Sequence, residues 1–156
     1  KVDDSDNSAG WKYSQYEMKG VPVRLEIGPR DIESGVCVLV SRVSGEKKTV
    51  AIESVESEVA AMLDYVHNEL VDRARRNLAQ KTNEARSYEE FLDCAQNRPG
   101  FIKAMWCGDE ECENKIKDET GGVKSRCIPF VEDKLSDVCV CCGKPAKHMV
   151  VWGRQY

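Results

Sequence analysis

Val21, Val23, Leu25 and Ile27 alternate with Pro22, Arg24 and Glu26, the period of two that predicts a β-strand with one buried and one polar face. Pro22 has no backbone donor, which puts it at a sheet edge or at the start of the strand. Upstream, residues 11–19 read as a short helix, capped by Ser8 and stopped at Gly20 after the polar opening DDSDNSAG. GPRD turns the chain, GVCVLVSRV predicts a second strand, and SGEK predicts a hairpin turn into a third over residues 48–52.

The period then changes. Val59, Met62, Leu63, Val66, Leu70, Ala74 and Leu78 recur at steps of three and four, an apolar stripe over about five helical turns with charge on the opposite face. The stripe fades across residues 80–86, where we place the boundary between domains 1–82 and 83–156. SYEE reads as a capping box, Ser87 with Glu90, opening a shorter helix that NRPG ends. Next come strand-like FIKAMW, a polar helix near residues 109–119, strand-like SRCIPF, a cysteine-rich segment and a terminal strand HMVVWG. The predicted fold class is α/β (α+β), a sheet with flanking helices followed by a small α/β module.

Composition narrows the functional classes. No apolar run approaches the roughly 18–20 residues of a membrane span, and no charged-then-apolar leader opens the chain. The start at Lys1, without Met, reads as a processed chain or an excised piece. A net charge of −4 is not that of a general nucleic-acid binder. Residues 1–52 carry eight basic and eight acidic side chains, and residues 101–156 nine of each, so the whole deficit sits between them. RNA contact would therefore come from particular positions at the neutral ends, not from bulk charge. No phosphate-binding glycine loop, paired catalytic carboxylates or nucleotide fingerprint is present.

Six of the eight cysteines lie between Cys107 and Cys142, and two are adjacent, an awkward pattern for disulfides. With no export signal, a reducing, cytoplasmic compartment and a metal site are the better reading. Cys107 and Cys112 with Cys139 and Cys142 make two ligand pairs on the scale of a zinc site. In a Cys-x-x-Cys-Gly turn, backbone N–H groups are expected at the first sulfur, and Gly143 supplies the left-handed residue. Cys141 would have to share the metal with its neighbour and is read as a bystander. Asp109 can cap the next helix, placing Cys112 in its first turn, where the helix dipole favours a thiolate. Four thiolates leave no open position, so the expected Zn²⁺ is structural. Free or bridged thiols are the bland alternative, weakened by the paired spacing. Cys37, Cys94 and Cys127 read as small core residues, and His67 and His148 as isolated histidines without metal partners.

At this point GWKYSQYEMKGVPVRLEIGPRDI resembles the anticodon-binding domain of the prolyl-tRNA synthetases, a class II family. WCGDEECENKIKDETGG, SRCIPF and CVCCGKPAKHMVVWGRQY resemble the C-terminal zinc domain of its archaeal and eukaryote-like form. The resemblance runs in order over nearly the whole chain. It implies an incomplete mixed β-sheet, lacking the first strand and helix of the anticodon domain, then a zinc domain with four cysteine ligands. It implies a reaction joining proline to tRNA(Pro) with ATP and Mg²⁺, in a catalytic domain absent here, so that this portion is itself non-catalytic. Its implied partners are tRNA(Pro), the enzyme's own catalytic domain and a second subunit of a homodimer, with neither membrane nor DNA.

The resemblance also implies that Glu17 and Arg24, with Lys47 as a weaker third beside Lys48, read the two guanines of the proline anticodon. The chemistry suits them. A carboxylate accepts from guanine N1–H and N2–H₂, and arginine donates to O6 and N7, edges that unstacked loop bases expose. From the residues alone, Glu17 and Arg24 read instead as a surface ion pair. Arg30 reads as holding its turn through Asp31 or Glu33, and Trp11, Tyr13 and Tyr16 as core or staple residues more than base-stacking platforms. The family pattern directs the terminal Tyr156 and its carboxylate toward the active-site region. A rival reading is a stand-alone structural zinc protein mediating protein–protein contacts. Redox use of the Cys-x-x-Cys is weaker, since zinc would occupy those thiols.

Overall fold

A computed structural model describes residues 1–155 of the chain, which divide into two units between Arg75 and Arg76. The role drawn from the family pattern for Tyr156 lies outside the described residues. Among the described residues no helix is long and apolar enough to cross a membrane.

In the first unit, helix α1 (Ala9–Met18) begins where the Ser8 hydroxyl accepts from the Trp11 N–H, as the sequence predicts. It ends at Lys19, with Gly20 at a φ of 81°. Strands β1 (Val23–Glu26), β2 (Val36–Ser41) and β3 (Lys47–Ala51) form an antiparallel sheet in the order β1-β2-β3. The predicted GPRD turn is extended into a short helix α2 (Pro29–Glu33). Asp31 holds this turn by accepting from the Gly28 N–H at 2.8 Å, whereas Arg30, expected to do so, is exposed. Helix α3 (Val55–Gln80) follows a single 3₁₀ turn.

Register decides what each face of this sheet does. Leu25 opposes Leu39, and Cys37 opposes Val50, so these residues share one face with Val23. Cys37, Leu39 and Val50 are buried there, with Val23 and the α3 residues Val55, Val59 and Met62 packed against them. The expected burial of the whole apolar side of β1 does not hold, because Val21, Leu25 and Ile27 are 38%, 45% and 50% exposed. β1 is an edge strand, and α3 covers the sheet mainly over β2 and β3. The α3 stripe is likewise shorter than its pattern: Val66 is buried, while Leu63, Leu70 and Leu78 are exposed.

The second unit holds a mixed sheet in the order β4-β5-β7-β6, built from β4 (Thr82–Ala85), β5 (Phe101–Trp106), β6 (Val123–Cys127) and β7 (His148–Arg154). β4 and β5 are parallel, joined through helix α4 (Tyr88–Asn97), and the other pairs are antiparallel. The Ser87–Glu90 capping box forms as predicted. Helix α5 (Glu110–Thr120) is capped by Asp109 and ends at Gly121 in the left-handed region. Phe91, Ile102, Ala104, Ile116, Val150 and Trp152 make the core. Trp152 is fully buried, edge-on to Phe91 and Trp106 at centroid distances of 5.8 and 6.3 Å. Cys94 is in this core as expected, but Cys127 is exposed. It ends β6 beside a bulge at Ser125–Cys127, which breaks the strand's alternation.

Gly100 joins α4 to β5 with a φ of 140°, and a Cβ there would lie 2.1 Å from the Lys81 carbonyl oxygen, which accepts from Phe101 N–H. Gly100→Ala is expected to destabilise the second unit by more than the ~1–3 kcal/mol of backbone strain alone. Gly10→Ala, in open helical surroundings, is expected to be neutral or mildly stabilising. Denaturant midpoints of the two variants check the contrast.

Candidate metal centre and candidate nucleic-acid interface

Two hydrogen-bonded segments bring the cysteines together. Cys107 directly follows β5, and the α5 cap sets Cys112 in the first helical turn, its N–H donating to the Asp109 carbonyl at 3.1 Å. Residues 138–145 fold into a tight turn. Cys139 N–H donates to the Lys144 carbonyl at 2.7 Å, Gly143 N–H donates to the Cys139 carbonyl at 3.0 Å, and Gly143 has a φ of 71°. This turn is tied to the end of β5 by Val140 N–H on the Met105 carbonyl and Lys147 N–H on the Trp106 carbonyl, at 2.9 and 2.8 Å.

As a result the sulfurs of Cys107, Cys112, Cys139 and Cys142 all lie within 4.8 Å of one another. Cys107 Sγ is 3.7 Å from both Cys112 Sγ and Cys142 Sγ. A regular tetrahedron with Zn–S bonds of ~2.3 Å has an edge of ~3.8 Å, so the donor set fits a four-thiolate zinc. Cys107, Cys112 and Cys139 are buried, Cys142 is exposed, and the half-buried Cys141 packs beside the group without belonging to it.

As thiols, Cys107 and Cys112 are held apart in acidity from Cys142. Burial pushes Cys107 and Cys112 up, whereas the Lys144 backbone N–H pulls Cys142 down to about 7. A backbone donor thus serves the second sulfur of the Cys-x-x-Cys turn. A dication among the sulfurs would favour the thiolate form at all four positions. His67 is exposed on α3, and His148 lies 3.6 Å from Glu132, so neither joins the cysteine cluster.

In the first unit the second face of the sheet carries Arg24, Glu26, Val38, Val40 and Lys47. Arg24 opposes Val40, which opposes Lys47, so the two cations flank one buried valine in a single cross-strand row. Lys48 falls on the opposite face and pairs with Glu58, which separates two lysines the sequence left equivalent. Glu17, in the last turn of α1, reaches Arg24 Nη1 at 2.6 Å. Arg24 Nε donates to Glu26 Oε1 at 2.8 Å, and Lys47 Nζ donates to Glu26 Oε2 at 3.3 Å. The Arg24 guanidinium lies 3.9 Å from the centroid of the Tyr13 ring.

The surface ion pair expected from the residues alone is therefore present, inside a larger network. Partial burial works against the Glu26 charge, but hydrogen bonds from Arg24 and Lys47 outweigh it and hold the carboxyl below its ordinary value. Burial also works against Arg24, and its two carboxylates hold it above its ordinary value. The aromatic trio is not core: Trp11 is 51% exposed, and Tyr16 is flanked by Lys1 and Lys19 at 5.3 and 5.4 Å from its centroid. Sequence reasoning missed Glu26, and it read Tyr13 as a core or staple residue and not as a partner of Arg24. The i, i+2 spacing of Arg24 and Glu26 was the available signal for Glu26.

Residues 1–62 match the family described as "Anticodon binding domain", and residues 88–156 the one described as "Prolyl-tRNA synthetase, C-terminal". Fold and matches together define a class, an anticodon-binding domain joined to the C-terminal domain of an aminoacyl-tRNA synthetase. The chain belongs to the prolyl-tRNA synthetase family. It is 54% identical over all its 156 residues to proteins named proline–tRNA ligase from Clostridium botulinum (strain 657 / Type Ba4) and Lachnospira eligens. To one from Clostridium novyi (strain NT) it is 51% identical over the same length. It covers 32% of each, so the chain spans about a third of the length of the curated relatives it matches.

Proposed function

We propose that this chain is the anticodon-reading and zinc-bearing portion of a cytoplasmic proline–tRNA ligase, with the first domain over residues 1–82 and the second over residues 83–156. The observation that carries the reading is the Arg24 cluster, with Arg24, Glu26 and Lys47 side by side on the sheet and Glu17 reaching in from α1, in the region that matches an anticodon-binding domain. Glu17, 52% exposed, accepts from a guanine N1–H and N2–H₂, and Arg24 and Lys47 donate to O6 and N7. In the absence of RNA the four charges balance one another. This agrees with recognition by a few groups and not by a basic surface.

The cysteine cluster holds one structural zinc through Cys107, Cys112, Cys139 and Cys142. The zinc fixes the α5 start against the Cys139–Gly143 turn. Activation of proline with ATP and Mg²⁺, and pairing into a homodimer, belong to the remainder of the relatives' length.

The test is a binding titration of the full-length protein with labelled tRNA(Pro) and with a transcript in which both anticodon guanines are replaced. The wild type is expected to prefer the authentic tRNA by tenfold or more, on the scale of ~1–3 kcal/mol for each well-made base contact. Glu17→Ala with Arg24→Ala is expected to erase the preference. Equal binding of both RNAs by the wild type would sink the anticodon assignment.

A further inference from the structure

Resting on the anticodon reading, we infer that Glu26 and Tyr13 are positioning residues, a two-sided clamp that fixes the plane and donor edge of Arg24 before RNA arrives. Arginine has five N–H donors in a rigid fork. Glu26 occupies the Nε donor, Glu17 occupies one on Nη1, and the Tyr13 ring covers one face of the guanidinium. Among the described residues, one Nη1 donor and both Nη2 donors remain to meet a base edge.

The exposures divide the cluster into a fixed part and an outer part. Arg24 and Glu26 side chains are 20% and 19% exposed, whereas Glu17 and Lys47 are 52% and 59% exposed. Glu26 divides its two oxygens between Arg24 and Lys47, so one carboxylate sets the spacing of both cations across the β1–β3 row. Freed from it, the arginine regains rotamer freedom and must be ordered again on binding. A site held in place discriminates between bases better than a flexible one of equal charge.

Glu26→Gln keeps the shape and removes the charge. In the full-length protein it is expected to reduce the preference for tRNA(Pro) over the guanine-replaced transcript at least fivefold. Affinity for the replaced transcript is expected to stay within about twofold, since each backbone-type contact reads all RNAs alike. Glu26→Asp, which keeps the charge on a shorter arm, is expected to fall between. A merely structural role would lower the affinity for both RNAs together and leave their ratio intact.

If Glu26→Gln keeps the wild-type ratio while Arg24→Ala loses it, the clamp is wrong and the anticodon reading survives. A wild type without preference removes both. Should Glu26→Gln not fold, Tyr13→Leu on the surface helix tests the other side. It is expected to lose the ratio in the same way, and an intact ratio there would overturn the clamp.

Discussion

Exchange of Cys112 for serine is expected to strip the zinc that we propose from the protein and to unfold the α5 start and the Cys139–Gly143 turn together. Cys112 is buried, and its sulfur sits 3.7 Å from Cys107 Sγ, so serine offers neither the thiolate nor the reach. Binding of structural zinc is worth on the order of 10–16 kcal/mol in small domains, and that free energy is folding free energy where the site is not otherwise formed. Here the hydrogen bonds from Val140 and Lys147 to β5 and the neighbouring core supply part of the order. The expected result is thus a partly unfolded second unit and not a random chain. Metal analysis by mass spectrometry is expected to fall from one zinc per chain to a small fraction. Cys141→Ser is expected to keep its metal, because Cys141 stands outside the converging group. Full zinc content and an unshifted melting temperature in Cys112→Ser would end the proposal.

Trp152→Ala is expected to cost about 3–5 kcal/mol, the range for emptying a large aromatic site in a core. The side chain is fully buried between Phe91 and Trp106, with both rings edge-on to it, so no single neighbour can close the space. Its indole N–H is buried without a partner among the described residues, which makes the native residue less favourable than its area suggests. Trp152→Phe removes that donor and leaves a smaller cavity, so it is expected to lose clearly less than the alanine variant. Denaturant titration followed by circular dichroism compares them. A loss below about 1 kcal/mol for Trp152→Ala would mean the core collapses around the gap.

The sequence made some parts of this molecule legible for identifiable reasons. Ser8 and the Ser87–Glu90 pair carry their caps in local side-chain chemistry, and FIKAMW reads as a strand through Ile102 and the aromatic Phe101 and Trp106. The four converging cysteines were legible because ligand spacing is itself local. β4 was not, since Thr82–Ala85 buries only Ala85 and owes its strand to parallel pairing with β5. The burial of β1 was overstated because alternation names the residues that can be covered but not whether a neighbour covers them. The Arg24 network joins residues up to 21 positions apart in the pair Lys47–Glu26, and only the register of three strands puts them in one place.

The segment between β6 and the Cys139–Gly143 turn has a further consequence. Phe130 and Val131 stand almost wholly in solvent there, while the flanking pieces are tied down independently, β6 along β7 and the turn onto β5. Continuity of the peptide chain through residues 129–135 is therefore not what keeps these pieces in place. A cut at this point would leave two fragments still fastened to one sheet. A zinc held as proposed, with Cys107 and Cys112 on one fragment and Cys139 and Cys142 on the other, would add a second link to the pairing of β7 with β5 and β6.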